Sequence, residues 1–337
     1  MLSTDIGIDL GTATVIVYIG GEGVVLSEPS VIAVNLKTDS VISVGQEAYE
    51  MIGKTPSHIQ AIRPLSKGVV CNYKMTEEMV KHFIKKICKD SLIKPRIAMC
   101  VPSGITNVES NAVIDVAIAS GARKVYLIEE PVAAAIGAQI DIEKPNGNLI
   151  VDIGGGTSEV AVISLGGIVA SRSVRVGGDE FDSAIIQYVK KKYNLLIGDR
   201  TAENIKIQIG SAYPYEDEQP MEIKGRNLVD GLPKNMMLHP EEVREALADS
   251  IMSVLDAIRT TLERTPPELS ADIIDHGITL TGGGAMLRGL DQLISKETGM
   301  PVQVAENPLD CVAAGTGKLL ENLNSMKELL SDDDSKY

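Results

Sequence analysis

Strand-like runs of apolar residues occupy 5–10, 14–19, 23–26, 30–35 and 41–44, separated by Gly-rich or polar turns, and predict five short β-strands. The pattern then lengthens to a helical one. A short helix is expected near 46–52. Over 76–88, Met79, Val80, Phe83, Ile84 and Ile87 recur at i, i+3, i+4 spacing, with Thr76 as the expected N-cap. Ile97 to Val101 is a continuous apolar strand halted by Pro102. Thr106-x-x-Glu109 reads as a capping box opening a helix that runs to Ser120, with Gly121 as its stop. A strand over Val125–Ile128 and a helix of very small residues over 131–138 follow. Strand and helix in alternation argue for sheets covered by helices.

After the turn Pro145-Asn146-Gly147 the pattern resets, and the hinge between two halves is expected there. Val151-Asp152-Ile153-Gly154-Gly155-Gly156-Thr157 repeats the logic of Ile8-Asp9-Leu10-Gly11-Thr12-Ala13-Thr14. Each is followed by an alternating strand, Val15–Ile19 and Val160–Ile163. The second half continues with a helix at 179–193. An inserted region over 199–248 holds a helix at 201–210, a polar loop at 213–219 and a strand near 221–224. A long helix runs from Pro240 to about Arg264, carrying Val243, Leu247, Ile251, Val254, Ile258 and Leu262 on one face, and Thr265-Pro266-Pro267 ends it. A strand over Gly277–Thr281 meets Gly282-Gly283-Gly284, and a final helix begins near Leu309. The acidic tail 331–337 is expected to fray.

The repeated phrases carry candidate chemistry. Glycines at Gly11 and Gly154-Gly155-Gly156 let backbone N–H groups approach a phosphate. Hydroxyls of Thr12, Thr14 and Thr157 add donors. Asp9 and Asp152 would repel phosphate unless a divalent cation intervened, so they are assigned to Mg²⁺, held through water. One copy alone would equally suit an ordinary β-hairpin; two in parallel contexts, with a third glycine run, argue against that. The third run, Thr281 to Leu287, leaves room for a flat base or ribose. In Leu127–Gly137, Glu130 lies between a buried strand and the small-residue helix. It is a candidate to position a water for in-line attack on a γ-phosphate. The alternative is a carboxylate that merely complements a helix dipole.

Composition narrows the classes. With 337 residues and 44% apolar content the chain can bury two cores, built from aliphatic residues because aromatics are only 3%. A net charge of −14 gives no electrostatic reason to bind nucleic acid or anionic lipid without a local device. Cys71, Cys88, Cys100 and Cys311 form no C-x-x-C pair, three of them sit among apolar neighbours, and the four histidines are scattered; reduced thiols and no transition-metal site are expected. No run reaches ~18 apolar residues, and Met1–Thr4 leads straight into a strand, so a cytoplasmic, soluble chain without a signal peptide is expected.

The order of phosphate hairpin, small-residue helix, second hairpin and adenosine turn resembles the actin/Hsp70/sugar-kinase superfamily. Glu28-Pro29-Ser30-Val31, Arg63-Pro64-Leu65-x-x-Gly68-Val69, Val101-Pro102-Ser103-Gly104, Ile128-Glu129-Glu130-Pro131, Gly198–Glu203 and Thr265–Leu269 are similar, more closely, to the MreB/Mbl family of bacterial actins across essentially the whole chain. That resemblance implies an α/β actin-like ATPase fold: two similar α/β halves, each with a small inserted subdomain, around a nucleotide cleft. The expected division is 1–32, 64–144 and 310–337 (IA), 33–63 (IB), 145–180 and 246–309 (IIA), and 181–245 (IIB). It also implies ATP or GTP with Mg²⁺, hydrolysis, and paired antiparallel protofilaments lying along the inner face of the plasma membrane. There they would guide wall elongation with membrane proteins of the MreC, MreD and RodZ type.

By the same resemblance, Glu130 and Thr157 set up the attacking water. Gly11, Thr12, Ala13, Thr14, Gly154, Gly155, Gly156 and Thr157 grip phosphate. Glu203, Asn204, Lys206 and Ile207 meet ribose and base, and Gly283, Gly284, Ala285 and Met286 form the adenosine turn. Two departures stand out: Thr14 where the family usually has Asn, and Ser158 where it usually has Thr. A membrane device is expected in Lys89–Pro95, where Leu92 and Ile93 sit among Lys86, Lys89, Lys94 and Arg96; the alternative is that both fold back onto the domain. A monomeric small-molecule kinase and a chaperone-type ATPase are the competing functions. Neither is expected: the former needs a further catalytic Asp motif that the sequence does not show, and the latter needs a substrate-binding domain after the ATPase domain.

Overall fold

The computed structural model describes residues 5–88 and 93–321. Its frame is one five-stranded sheet built twice. In the first half the order is Lys124–Glu129, Arg96–Val101, Asp5–Leu10, Thr14–Ile19, Gly23–Pro29. In the second it is Val302–Val304, Ile278–Thr281, Asn148–Ile153, Ser158–Ser164, Gly167–Val174. In both, the first two pairings are parallel and the last two antiparallel. The parallel pairings need helical crossovers, and the antiparallel ones close by tight turns. The repeated sequence phrase therefore occupies the same corner of both sheets.

Every residue of Ser158–Ser164 is buried. The long helix Pro240–Glu263 packs on one side of this strand and Glu130–Gly137 on the other, so no polar face is needed. Two small sheets stand apart from the large ones. Ser40–Val44, Ile32–Asn35 and Ile59–Ile62 accompany the helix Gln46–Met51. Leu195–Leu196, Met221–Asn227 and Pro233–Leu238 accompany the helix Asp199–Ile209.

A third apolar core lies between the halves. It joins Ala98 and Ile128 of the first sheet, Ile150 and Ala161 of the second, and the helices Glu130–Gly137 and Cys311–Glu321. These helices approach backbone to backbone. A Cβ on Gly137 would sit 1.8 Å from the Cys311 carbonyl oxygen, and one on Gly315 would sit 1.8 Å from that of Ala133. The run Ala133-Ala134-Ala135 is therefore explained by packing.

Several local expectations need correction. The helix expected from Thr76 spans Tyr73–Ile87, and Asn72 caps it by accepting from the Met75 N–H at 3.2 Å. Thr76 lies inside the first turn and returns its hydroxyl to the Asn72 carbonyl at 2.8 Å. Thr265-Pro266-Pro267 ends one helix and starts another, Pro267–His276, because proline is well suited to a first helical position. The last described helix begins at Cys311, two residues beyond Leu309. The capping box at Thr106 and Glu109 forms as expected.

Candidate functional site

The two glycine turns meet face to face across a cleft of about 550 Å³, a size suited to a small-molecule ligand. Their closeness is what demands glycine. A Cβ on Gly155 would lie 2.5 Å from that of Ala13, and one on Gly156 would lie 2.4 Å from Thr12 Oγ1. Thr12 Oγ1 also accepts from the Gly68 N–H at 3.0 Å, which ties the first turn to the hairpin of Leu65–Ser66 and Val69–Val70. Gly68 has φ +76°, and a Cβ there would meet Pro102 and Thr157 at 3.0 Å each. The motifs around Arg63–Val69 and Val101–Gly104 thus act as supports for the turns.

The third glycine run closes the cleft from the second half. Gly282, at φ +79°, lies so near Ile153 that a Cβ would be 2.4 Å from its carbonyl oxygen. Thr281 Oγ1 donates to Asp152 Oδ1 at 2.7 Å. The following 3₁₀ turn Gly283–Met286 brings Gly283, Gly284 and Met286 to the cleft. Ala285 turns away and is buried in the second-half core, because one residue of so tight a turn must face inward.

On the opposite wall, Glu203, Lys206 and Ile207 line the cleft from one face of the helix Asp199–Ile209. Lys206 Nζ lies 2.9 Å from Asp182 Oδ1 and donates to the Gly178 carbonyl at 3.1 Å. Asn204 points elsewhere: the helical period places it on the outer face, where its Oδ1 accepts from Gln208 Nε2 at 3.0 Å. Glu203 Oε2 accepts a hydrogen bond from Tyr49 Oη of the first half's small sheet.

Four carboxylates converge at the floor. Asp9, Glu130 and Asp152 line the cleft. Burial is the leading cause that pushes Asp9 up to about 7, with Asp152 adding to it and the Cys100 thiol opposing. Burial likewise raises Asp152 to about 6 against the Thr281 hydrogen bond. Glu130 is held well above the ordinary range by burial, then by the charges of Glu159, Asp152 and Asp9. Glu159 is 0% exposed and accepts from Ser173 Oγ at 2.5 Å and from the Ser103 N–H at 3.2 Å; burial still raises it to about 7. Such a cluster of raised carboxylates in a cleft marks a functional site. It also calls for positive charge.

Among the described residues, no group of three or more His, Cys, Asp and Glu is arranged to hold a metal by itself. Asp9 and Asp152 with a ligand's phosphates and water fit Mg²⁺, which keeps much of its hydration. Sequence reasoning missed Gly68, Asp179, Asp182, Glu159 and Tyr49. For Asp179 and Asp182 the signal was an i, i+3 acidic pair near the start of the helix Gly178–Tyr193, where Asp179 reads equally as dipole complementation. Leu92 lies outside the described residues; Ile93 is exposed at 42%. No described helix is long and apolar enough to cross a membrane.

Comparison with known proteins agrees with this architecture. The family model described as MreB/Mbl protein matches residues 3–328. The chain is 51% identical to the cell shape-determining protein Mbl of Bacillus subtilis over 97% of its own length and 98% of that protein's. It is 50% identical to the cell shape-determining protein MreB of Escherichia coli over 96% of this chain and 95% of that one. The crystal structure of MreB5 of Spiroplasma citri bound to ADP superposes with a TM-score of 0.92 at 41% identity, covering 97% of this chain and 99% of that one. The same protein has also been solved bound to AMPPNP, with a TM-score of 0.92. A MamK double helical filament shares the fold, with a TM-score of 0.81 at 20% identity.

Proposed function

The chain belongs to the MreB/Mbl family, and from that premise we propose that it is an actin-like cytoskeletal ATPase. It polymerises into filaments that maintain cell shape and guide wall elongation. The observation that carries this reading is the pairing of two glycine turns around a floor of raised carboxylates, in a chain whose relatives are named as cell-shape determinants. In this reading the chain divides into the four subdomains that the resemblance implies, with 33–63 and 181–245 inserted.

In this reading the backbone N–H groups of Gly11–Thr14 and Gly154–Thr157 hold the phosphates. Glu203, Lys206 and Ile207 face ribose and base, and Gly283, Gly284 and Met286 bound the adenine. Bound Mg²⁺, held through water by Asp9 and Asp152, would supply charge neutralisation on the phosphates. Glu130, which lines the cleft together with the Thr157 turn, orients the attacking water. Its position as the first residue of the helix that follows the strand Lys124–Glu129 fixes the carboxylate, and positioning is most of what phosphoryl transfer asks of a protein. The ligands named for the Spiroplasma relative support an adenine nucleotide.

The partners are further copies of the chain, the inner face of the plasma membrane, approached by Leu92 and Ile93, and wall-elongation membrane proteins. Family membership sets aside the small-molecule kinase and chaperone readings. Sedimentation with and without MgATP over a range of concentrations tests the proposal. Nucleotide-dependent, concentration-dependent pelleting is expected; a protein that stays in the supernatant at every concentration would overturn it.

A further inference from the structure

Among the described residues, a group of side-chain contacts around one phenol links the two halves beside the cleft. Tyr49 projects from the short helix Gln46–Met51 of the first half's small sheet. Its hydroxyl donates to Glu203 Oε2 on the helix Asp199–Ile209 of the other half. Arg200, three residues earlier on that helix, lies over the Tyr49 ring at 4.9 Å and donates to the Glu50 carbonyl at 3.3 Å. Nearby, Arg63 bridges to Asp179 at 2.9 Å.

We propose that Tyr49 is a positioning residue for ribose recognition: by anchoring Glu203 Oε2 it turns Oε1 toward the hydroxyls of a bound ribonucleotide. This rests on the reading of Glu203 as a ribose contact. Three observations carry it. Glu203 is a wall of the nucleotide-sized cleft, so an oxygen not engaged by Tyr49 is available to a ligand there. Burial and the Glu203 charge both raise the Tyr49 phenol, so it is protonated and donates. Arg200 stands at i−3 to Glu203, where the two would otherwise pair along the helix face. The Tyr49 ring and the Glu50 carbonyl hold the guanidinium instead, and the carboxylate stays with the cleft. Because Tyr49 and Glu203 belong to different halves, the ribose contact is complete only when the cleft is closed. Ribose recognition and closure are therefore one event.

The substitution Tyr49→Phe removes only the hydroxyl and keeps the ring under Arg200. Affinities for MgATP and for Mg-2′,3′-dideoxy-ATP would be measured at concentrations where the chain is monomeric, for wild type, Y49F, E203Q and the double variant. The expected result is a wild type that prefers ATP and a Y49F variant weakened about tenfold for ATP, in keeping with the loss of a hydrogen bond to a charged group. Dideoxy-ATP binding should be unchanged in Y49F, and the double variant should bind ATP no worse than E203Q. Equal weakening for both nucleotides would overturn the inference, since Tyr49 would then serve closure or stability alone. So would wild-type ATP affinity in Y49F. If E203Q keeps full wild-type discrimination between the two nucleotides, the ribose reading of Glu203 itself fails, and the inference falls with it.

Discussion

Replacing Gly315 by Ala adds one methyl group where the two central helices touch. Its Cβ would lie 1.8 Å from the Ala133 carbonyl oxygen and 2.6 Å from its carbon, against the 3.4 Å at which ordinary contact begins. The obstacle is helix backbone, which cannot rotate away, so the helices must part by more than an ångström. Overpacking of this kind costs about 1–3 kcal/mol, and sometimes more. Alanine returns about 1 kcal/mol through its better helix propensity. Because the overlap is deep, the net loss is expected at roughly 2 kcal/mol, or a fall of ~4–8 °C in melting temperature for a large domain. The same helices carry Glu130 at one end and join both sheets, so MgATP affinity should fall as well. Gly317→Ala provides a contrast: its Cβ would meet the Tyr18 ring at 1.9 Å, and a side chain can yield where a backbone cannot. Thermal denaturation of the three proteins settles the ranking. A Gly315→Ala protein that melts at or above wild type would refute the account of the central helices.

Two further outcomes are expected. Asp9 and Glu159, at about 7, and Asp152 and Asp182, at about 6, all sit above their unfolded values. The native state therefore binds more protons between about pH 4 and pH 7, and stability is lost as pH rises through that window. The nucleotide-free protein should melt higher at about pH 6 than at about pH 8, and Mg-nucleotide should flatten the difference; a melting temperature that climbs steadily across that interval would contradict it. Replacing both Leu92 and Ile93 with Ser should abolish pelleting with anionic liposomes while leaving MgATP-dependent filaments intact, and unchanged co-pelleting would remove that loop from the membrane contact.

Much of this was legible before any coordinates, because the duplicated features are local ones. Asp-x-Gly between two strands declares a hairpin within a dozen residues, and both hairpins formed where the text of the chain put them. Elements fixed by distant contacts were harder to see. Val302–Val304 is only three residues long and exists because Ile278–Thr281 offers it an edge. Pro233–Leu238 is largely exposed and pairs with Met221–Asn227, so it lacks an apolar alternation. The site divided in the same way. The glycine turns, Glu130 and Lys206 carry recognisable neighbours, whereas Tyr49 gains its role only from Glu203, 154 residues away. Glu159 faces Asp152 across one hairpin, yet its importance comes from Ser103 and Ser173, which no spacing rule connects. The resemblance places Asn204 and Ala285 at the cleft with their neighbours, whereas the helical and 3₁₀ periods turn their side chains away from it.

The central claim is that this cleft couples nucleotide hydrolysis to assembly through Glu130. Phosphate release and high-speed pelleting, measured together in MgATP for wild type and Glu130→Ala, address it most directly. The account predicts that both proteins pellet and that the variant releases little phosphate. A variant that assembles and releases phosphate at the wild-type rate would contradict it.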